Sequence, residues 1–457
     1  MKQLAFMAIT MFLGTGGSFV LSPVYGVAVY YMYAVMRPQF IWDWVELFGL
    51  KLSEVNWSLP VAVCALGSTV LWRTGLWTPL AAATAPWYGN PRFTRSHYLF
   101  LAFTAWISLT YVTAVLPDVA WPFFIEYVKI FTMFGCATLV LRTVRDLWLV
   151  YLVMLFGAGY IAYELNLSYL IVGKLTLPER GYGGLDNNGA AMFLAMAVPL
   201  AFFAWEGTRR WWRWLYMAVI PLLGHAVLLS YSRGAMLSLG ITAILMWVRS
   251  RNKVFVGVLY LAGLAVLLGT TGKEVSERFQ SISTEKDNNP RWETWKIAIR
   301  MANDRPVFGF GIRVSPRFTY TRYGADIPNR AIHSQYLQTA ADSGWPALAL
   351  YVGLIGSVFI GLWQTRRALR KYTDPESLSV RSLASGLECS LALFCIGATF
   401  LSLEHFEMPY IVMLLAVQLH AITRAVDAKL NPSPSGLPPL TLPYPYPSAP
   451  HPVAVSS

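Results

Sequence analysis

Charge is scarce in this chain: Asp, Glu, Lys and Arg together make up 13% of 457 residues, against 56% hydrophobic ones. So little polar surface excludes a set of soluble domains and points to a protein that lives in a membrane. Acidic residues are the scarcer sign, 24 against 36 basic ones, for a formal net charge of +12. That excess forms no continuous stripe and no nucleic-acid-binding motif. It falls in short clusters between apolar runs, so no nucleic acid partner is expected. Cysteine is rarer still, and Cys64, Cys136, Cys389 and Cys395 all sit inside apolar runs. There a thiol behaves as a small hydrophobe, and neither a disulfide framework nor a zinc spacing follows. The first apolar stretch has no basic region beyond Lys2 and runs into a second one, so no cleaved leader is expected. Internal repeats are lacking.

What the chain does have is a succession of long apolar runs. Crossing ~30 Å of hydrocarbon takes roughly 20 apolar residues in a helix. Backbone groups in lipid must pair within their own segment, so runs without strand-like alternation mean helices and not a barrel. Spans are expected near 3–36 (a closely spaced pair), 58–76, 98–116, 121–141, 147–170, 189–205, 214–231, 234–248, 254–270, 346–364, 385–403 and 409–425. The expected fold class is an all-α polytopic membrane protein with about twelve transmembrane helices.

Orientation follows from the basic residues, because Lys and Arg close to span ends stay in the cytoplasm. Arg142 and Arg145, Arg209, Arg210 and Arg213, Arg249, Arg251 and Lys253, and Arg366, Arg367, Arg370 and Lys371 fall on one side of the alternating spans. With that side cytoplasmic, residues 271–345 form one long outer loop, and loops beyond ~60 residues are exempt from the charge rule. The side of the N-terminus stays open, since one helix of the first pair is allowed to be re-entrant. The expected division is a transmembrane bundle over 1–270, an outer loop domain over 271–345, transmembrane helices over 346–425, and a Pro-rich cytoplasmic tail over 426–457. The tail is too rich in proline to pack a core and is expected to be disordered.

The long loop carries helical signals of its own. Asn288, Asn289 and Pro290 mark a helix start, after which Trp292, Trp295, Ile299 and Ala302 recur on one apolar face suited to the membrane interface. Pro306, Gly309 and Gly311 form a turn cluster. A second short helix is expected over 332–343, with Gly344 just past its end and Pro346 opening the next span. His333 would lie in the first turn of that helix, where the positive helix terminus opposes protonation and leaves the imidazole able to accept a proton near pH 7. The alternative for a lone histidine in a polar loop is ordinary surface.

Three arginines are expected on the same side. Arg233, in SYSRGA, is held at a tight turn between two spans; an arginine at membrane depth costs about 2.5–3.5 kcal/mol unless paired, which marks it as functional unless it snorkels to headgroups. Arg180 opens RGYGGLDNNG, where a cation, glycines and amides suit an anionic phosphate, although plain glycine loops are common. Arg291 begins the first loop helix. Fixed guanidiniums clamp phosphate oxygens in pairs, so Arg180, Arg233 and Arg291 beside His333 ask for a phosphorylated, membrane-borne ligand. Glu404, His405 and Glu407, at the outer end of a late span, are read as acceptor-binding or helix-capping in preference to metal ligands. No metal or other cofactor is expected.

Several of these stretches resemble one family. SYSRGA, PRWETWKIAIRMANDRPVFGFG and HSQYLQTAADSG resemble the O-antigen ligase and polymerase superfamily of bacterial envelope enzymes, by motif over roughly residues 180–365 and by topology elsewhere. RGYGGLDNNGAAMFLAMAVPL and ERFQSI further resemble its exosortase-associated O-glycosylation ligase branch. The resemblance implies a GT-C-like glycosyltransferase of the bacterial inner membrane, working at its periplasmic face on an undecaprenyl diphosphate-linked glycan, without nucleotide sugar or metal. It implies lipid A-core of lipopolysaccharide as the acceptor of the ligases, a growing glycan for polymerases and a protein hydroxyl for other relatives. It places the essential histidine on His333 and the two essential arginines on Arg233 and Arg291; Arg180 matches only the closer branch. Such chemistry is a single inverting displacement, because a covalent route needs a positioned carboxylate that the sequence does not offer. The remaining class, a transporter or flippase, fits less well, since the polar groups gather at one face and not at a midplane between paired halves.

Overall fold

A computed structural model describes residues 2–42, 46–47, 50–51, 54–80, 93–173, 175–261, 290–403 and 406–430. Thirteen helices of a dozen residues or more organise it: α1 (Lys2–Gly14), α2 (Pro23–Met36), α3 (Ser58–Arg73), α4 (Arg95–Val112), α5 (Pro117–Val140), α6 (Val144–Val172), α7 (Asn187–Gly207), α8 (Arg213–Leu229), α9 (Arg233–Arg249), α10 (Pro290–Asp304), α11 (Gln335–Ala368), α12 (Pro375–Gly397) and α13 (Glu407–Leu430). Among the described residues the only paired strands are Glu46–Leu47 and Leu50–Lys51, two residues each. Among the described residues seven stretches are long and apolar enough to cross a membrane: Gln3–Val20, Pro117–Val140, Val144–Val172, Asn187–Gly207, Gln335–Lys371, Pro375–Gly397 and Glu407–Val426. Ser58–Arg73 and Arg213–Leu229 are shorter apolar helices. The chain is an all-α polytopic membrane protein.

The expected spans fall on helices, with three differences. The first pair is cut twice, by Thr15 and by Leu21 and Ser22, which isolates the short helix Gly16–Val20. Ser22 then caps α2 by accepting from Val24 N at 3.3 Å, with Pro23 in the first helical position. The span expected over 385–403 starts ten residues earlier, at Pro375, where Asp374 accepts from Ser377 N at 2.9 Å, and it ends at Gly397. Hydropathy misses its first turns because their Ser, Arg and Glu residues are polar. Of the span expected over 254–270, only the helical residues up to 261 are described; 262–289 and the tail from 431 lie outside the described residues.

At the centre stands α7, whose residues 189–205 are all buried. A helix apolar on every side belongs inside a bundle, and α6, α8, α9 and α12 surround it. Its alanines let neighbours approach closely, as small residues do in membrane bundles. At one end of the bundle a buried carboxylate ties three helices together. Glu388 on α12 accepts from Arg249 Nε and Nη2 of α9, both at 2.9 Å, and from Arg366 Nη2 of α11 at 3.0 Å. Removing one member of a buried ion cluster strands the others. Glu388→Ala is therefore expected to cost about 3–5 kcal/mol, readable as a lowered midpoint of thermal unfolding in detergent, with Glu388→Gln intermediate.

A second, smaller core lies apart from the first. It is built from Ala120, Ile297, Ala298, Met301, Phe310, Val314, Ala325, Ile332 and Ala341, and so joins α10, the segment 310–332 and the start of α11. This corrects the expected apolar face of α10. The helix buries Thr294, Ile297, Ala298, Met301 and Ala302, and leaves Trp292 62% and Ile299 41% exposed. The tryptophans lie beside that seam: Trp295 packs its ring 5.1 Å from Trp292 and 6.3 Å from Phe400.

Candidate active site

The site is organised by a break in α11. Gly344 has φ +82° and ψ 168°, which no helix accommodates, so residues 335–343 form a short helix set off from the long apolar one. Backbone groups loosened by the break are taken up by the segment before it: Phe310 N donates to Ala341 O at 3.0 Å, Gly311 N to Asp342 O at 2.8 Å, and Trp345 N to Pro306 O at 2.9 Å. Side chains complete the junction. The buried carboxylate of Asp342 accepts from Arg313 N (3.0 Å), Ser315 N (2.9 Å) and Gln338 Nε2 (2.7 Å). Both motifs thereby acquire a physical reason. In PVFGFG, a Cβ on Gly309 would stand 2.3 Å from Asp342 C, so only glycine lets the turn lie against the broken helix.

His333 sits immediately before this short helix. The expectation that it opens the helical turn is corrected: Ser334 is the N-cap, accepting from Leu337 N at 3.5 Å, and the helix begins at Gln335. His333 has φ +54° and cannot be helical. Its neighbours hold it there. Thr294 Oγ1 of α10 donates to Ile332 O at 3.2 Å, and Gln335 N donates to Ala398 O at 2.8 Å. Gln335 Oε1 accepts from Leu403 N at 2.6 Å, and Tyr336 OH donates to Cys395 O at 2.9 Å. A left-handed backbone at a residue with a side chain costs about 1–3 kcal/mol and persists only where the surroundings impose it.

The imidazole is partly buried, and its pKa is lowered from the ordinary histidine value first by that burial, then by the positive charges of Arg291 and Arg330, with Asp186 opposing. The expected result, a neutral histidine near pH 7, therefore rests on enclosure and guanidiniums and not on a helix terminus. Arg291 lies in the first turn of α10. Arg233 is the first residue of α9, behind the cap Ser232 and Tyr231, which has φ +54°. Its turn is stitched to the start of α7: Ser232 Oγ donates to Asn188 Oδ1 at 2.8 Å, and Asn187 Nδ2 to Ser230 O at 3.3 Å. Two residues before Asn188, Asp186 caps α7 by accepting from Gly189 N at 2.7 Å, and it is the carboxylate that acts on His333. Asp186 thus relates the turn of Arg233 and the loop before α7 electrostatically to His333, on which Arg291 also acts.

The remaining sequence candidates divide. Arg180 ends the short helix Thr176–Arg180, and its side chain lies outside what is described. The glycine loop after it leans on α2: Arg37 donates to Gly183 O, and Tyr182 OH donates to Met36 O. Glu404 and His405 lie outside the described residues. Glu407 opens α13 and lines a small cavity with Arg37, Tyr182, Leu185, Phe193 and Phe406 among its walls. Among the described residues no group of three or more His, Cys, Asp or Glu side chains is placed to hold a metal ion. Sequence reasoning passed over Arg37, Asp186 and Arg330. Arg330 had a usable signal, its place three residues before His333; Arg37 had none, being 146 residues from the glycine it holds.

Residues 218–352 match the family model of the O-antigen ligase. No curated protein matches the chain. The matched region contains Arg233, Arg291, Arg330, His333 and Gly344 and ends before Glu407.

Proposed function

We propose that this chain belongs to the O-antigen ligase superfamily and transfers a glycan from undecaprenyl diphosphate to the lipid A-core of lipopolysaccharide at the periplasmic face of the bacterial inner membrane. The observation that carries the reading is a partly buried histidine, disposed to be neutral, with guanidiniums beside it in the family's own region. A sugar hydroxyl is a weak nucleophile near pH 7. His333 takes its proton as the oxygen attacks the anomeric carbon, while the bond from that carbon to the diphosphate oxygen breaks. The electron pair leaves with the lipid diphosphate, whose growing charge Arg291 and Arg233 stabilise. One displacement inverts the anomeric centre. Arg180 joins the diphosphate site from the glycine loop, and Glu404, His405 and Glu407 contribute to the acceptor side.

Reconstitution in proteoliposomes with a defined undecaprenyl diphosphate-linked glycan tests this. Transfer to lipid A-core is expected. Lengthening of the lipid-linked glycan instead would make the chain a polymerase, transfer to a protein hydroxyl a protein O-glycosylation ligase, and movement of donor across the bilayer without any acceptor a flippase. In the same assay Arg233→Lys and Arg291→Lys are each expected to lose at least about tenfold in turnover, because lysine restores charge but not the planar fork. Full turnover in both variants would reassign these arginines to anchoring at the interface.

A further inference from the structure

Arg330 has unusual surroundings for a guanidinium. Its side chain is 19% exposed, and Nη1 lies 3.3 Å from Asp326 Oδ2, an ion pair whose acidic partner is 51% exposed. Its Nε is buried and has no acceptor. Two residues further on, Ile332 is fully buried in the small core and fastened by Thr294 to α10, the helix that carries Arg291, so the backbone next to Arg330 and His333 is held against that helix. A buried donor without an acceptor is uncommon in folded proteins, because losing water without gaining a partner opposes folding. Its ion-pair partner Asp326 meets Nη1 and leaves Nε without an acceptor.

We propose that Arg330 is a further guanidinium of the donor site, with Nε directed to an oxygen of the lipid-linked diphosphate. The inference rests on the donor class proposed above. A diphosphate suits the vacancy because its oxygens are acceptors only and carry the charge that a row of guanidiniums demands. Arg330 has a second effect from the same position, since its charge bears on His333 and disfavours the imidazolium. Its role is therefore one of binding and positioning, and the hydroxyl proton goes to His333 alone.

The full chain in lipid nanodiscs, titrated with sugar-free undecaprenyl diphosphate and separately with undecaprenyl monophosphate, tests the assignment. Arg330→Gln is expected to weaken diphosphate binding by about tenfold or more, with Arg330→Lys intermediate. Asp326→Asn, which breaks the same ion pair but leaves the guanidinium, is expected to bind within about twofold of the wild type. A second reading comes from the residual transfer rate against pH: Arg330→Gln moves the acid limb upward, and Asp326→Asn does not. If the wild type prefers the diphosphate and Arg330→Gln binds it equally well, Arg330 falls and the donor class stands. Equal losses in Arg330→Gln and Asp326→Asn would also overturn the assignment, leaving the pair as a fastening of the loop. A wild type that shows no preference for diphosphate over monophosphate removes the donor class and this inference together.

Discussion

His333→Ala is expected to lower glycan transfer by about 10² to 10⁴-fold while the protein remains folded and inserted, the size expected for loss of a general base. Among the described residues no hydrogen bond to its imidazole holds the fold; the local clasps run through Ile332, Gln335 and Tyr336. Because the residue stands at φ +54°, His333→Asn is the better control for folding, asparagine being tolerant of the left-handed region. Transfer near the wild-type rate in either variant would remove the base from the mechanism. The pH dependence sharpens the test. Burial and the neighbouring guanidiniums lower the imidazole pKa, so the wild-type rate should hold below the pH at which ordinary histidines become protonated and fall only in more acidic solution. Replacing Arg291 by Gln removes a positive charge, lets the proton bind more readily and moves the acid limb to higher pH. A wild-type limb above the ordinary histidine range, or a downward move in Arg291→Gln, would contradict the assigned electrostatics.

Gly344→Ala is expected to do comparable damage by another route. A Cβ at this position would stand 2.0 Å from Val307 O and 2.5 Å from Val307 C, both backbone atoms. The conformation itself, φ +82° with ψ 168°, belongs to a region that essentially only glycine enters. With strain and overlap together, the substitution should cost more than about 3 kcal/mol. The turn 306–311 would be pushed off the short helix, so both the unfolding midpoint and the transfer rate should drop. Gly353, further along α11, has nothing within 4 Å of its would-be Cβ, and Gly353→Ala should be harmless or slightly stabilising, as alanine is in a helix. Equal behaviour of the two variants would show that the break is not essential.

How far the sequence could be read depends on where each signal was local. The apolar runs announced their helices, since nothing but a helix satisfies the backbone in lipid. The start of α12 stayed hidden because Glu376, Ser377, Ser379, Arg381 and Ser382 make its first turns polar. In α10 the tryptophans drew attention away from the buried seam, which shares only Ala302 with the expected face and runs through Thr294 and Ala298, small residues that fit against Ile332 and Phe310. Ser334 was a readable cap, one position after the histidine, and its oxygen explains why the helix starts later than Ile332. The site was legible as residue types on separate segments. Its joints, such as Arg37 on the glycine loop or Asp342 on the turn before it in sequence, pair residues far apart in the chain, and no periodicity records them.

The break at Gly344 and the cluster around Glu388 share one helix. Twenty-two residues separate Gly344 from Arg366 along α11, and at 1.5 Å per residue they span about 33 Å, close to the ~30 Å of a hydrocarbon core. The helix is in effect a ruler, graduated by a glycine at one end and a bound arginine at the other. On the function proposed above, it would set the height at which His333 meets the headgroup layer by counting residues, and the reacting groups would keep their level when the surrounding lipid changes.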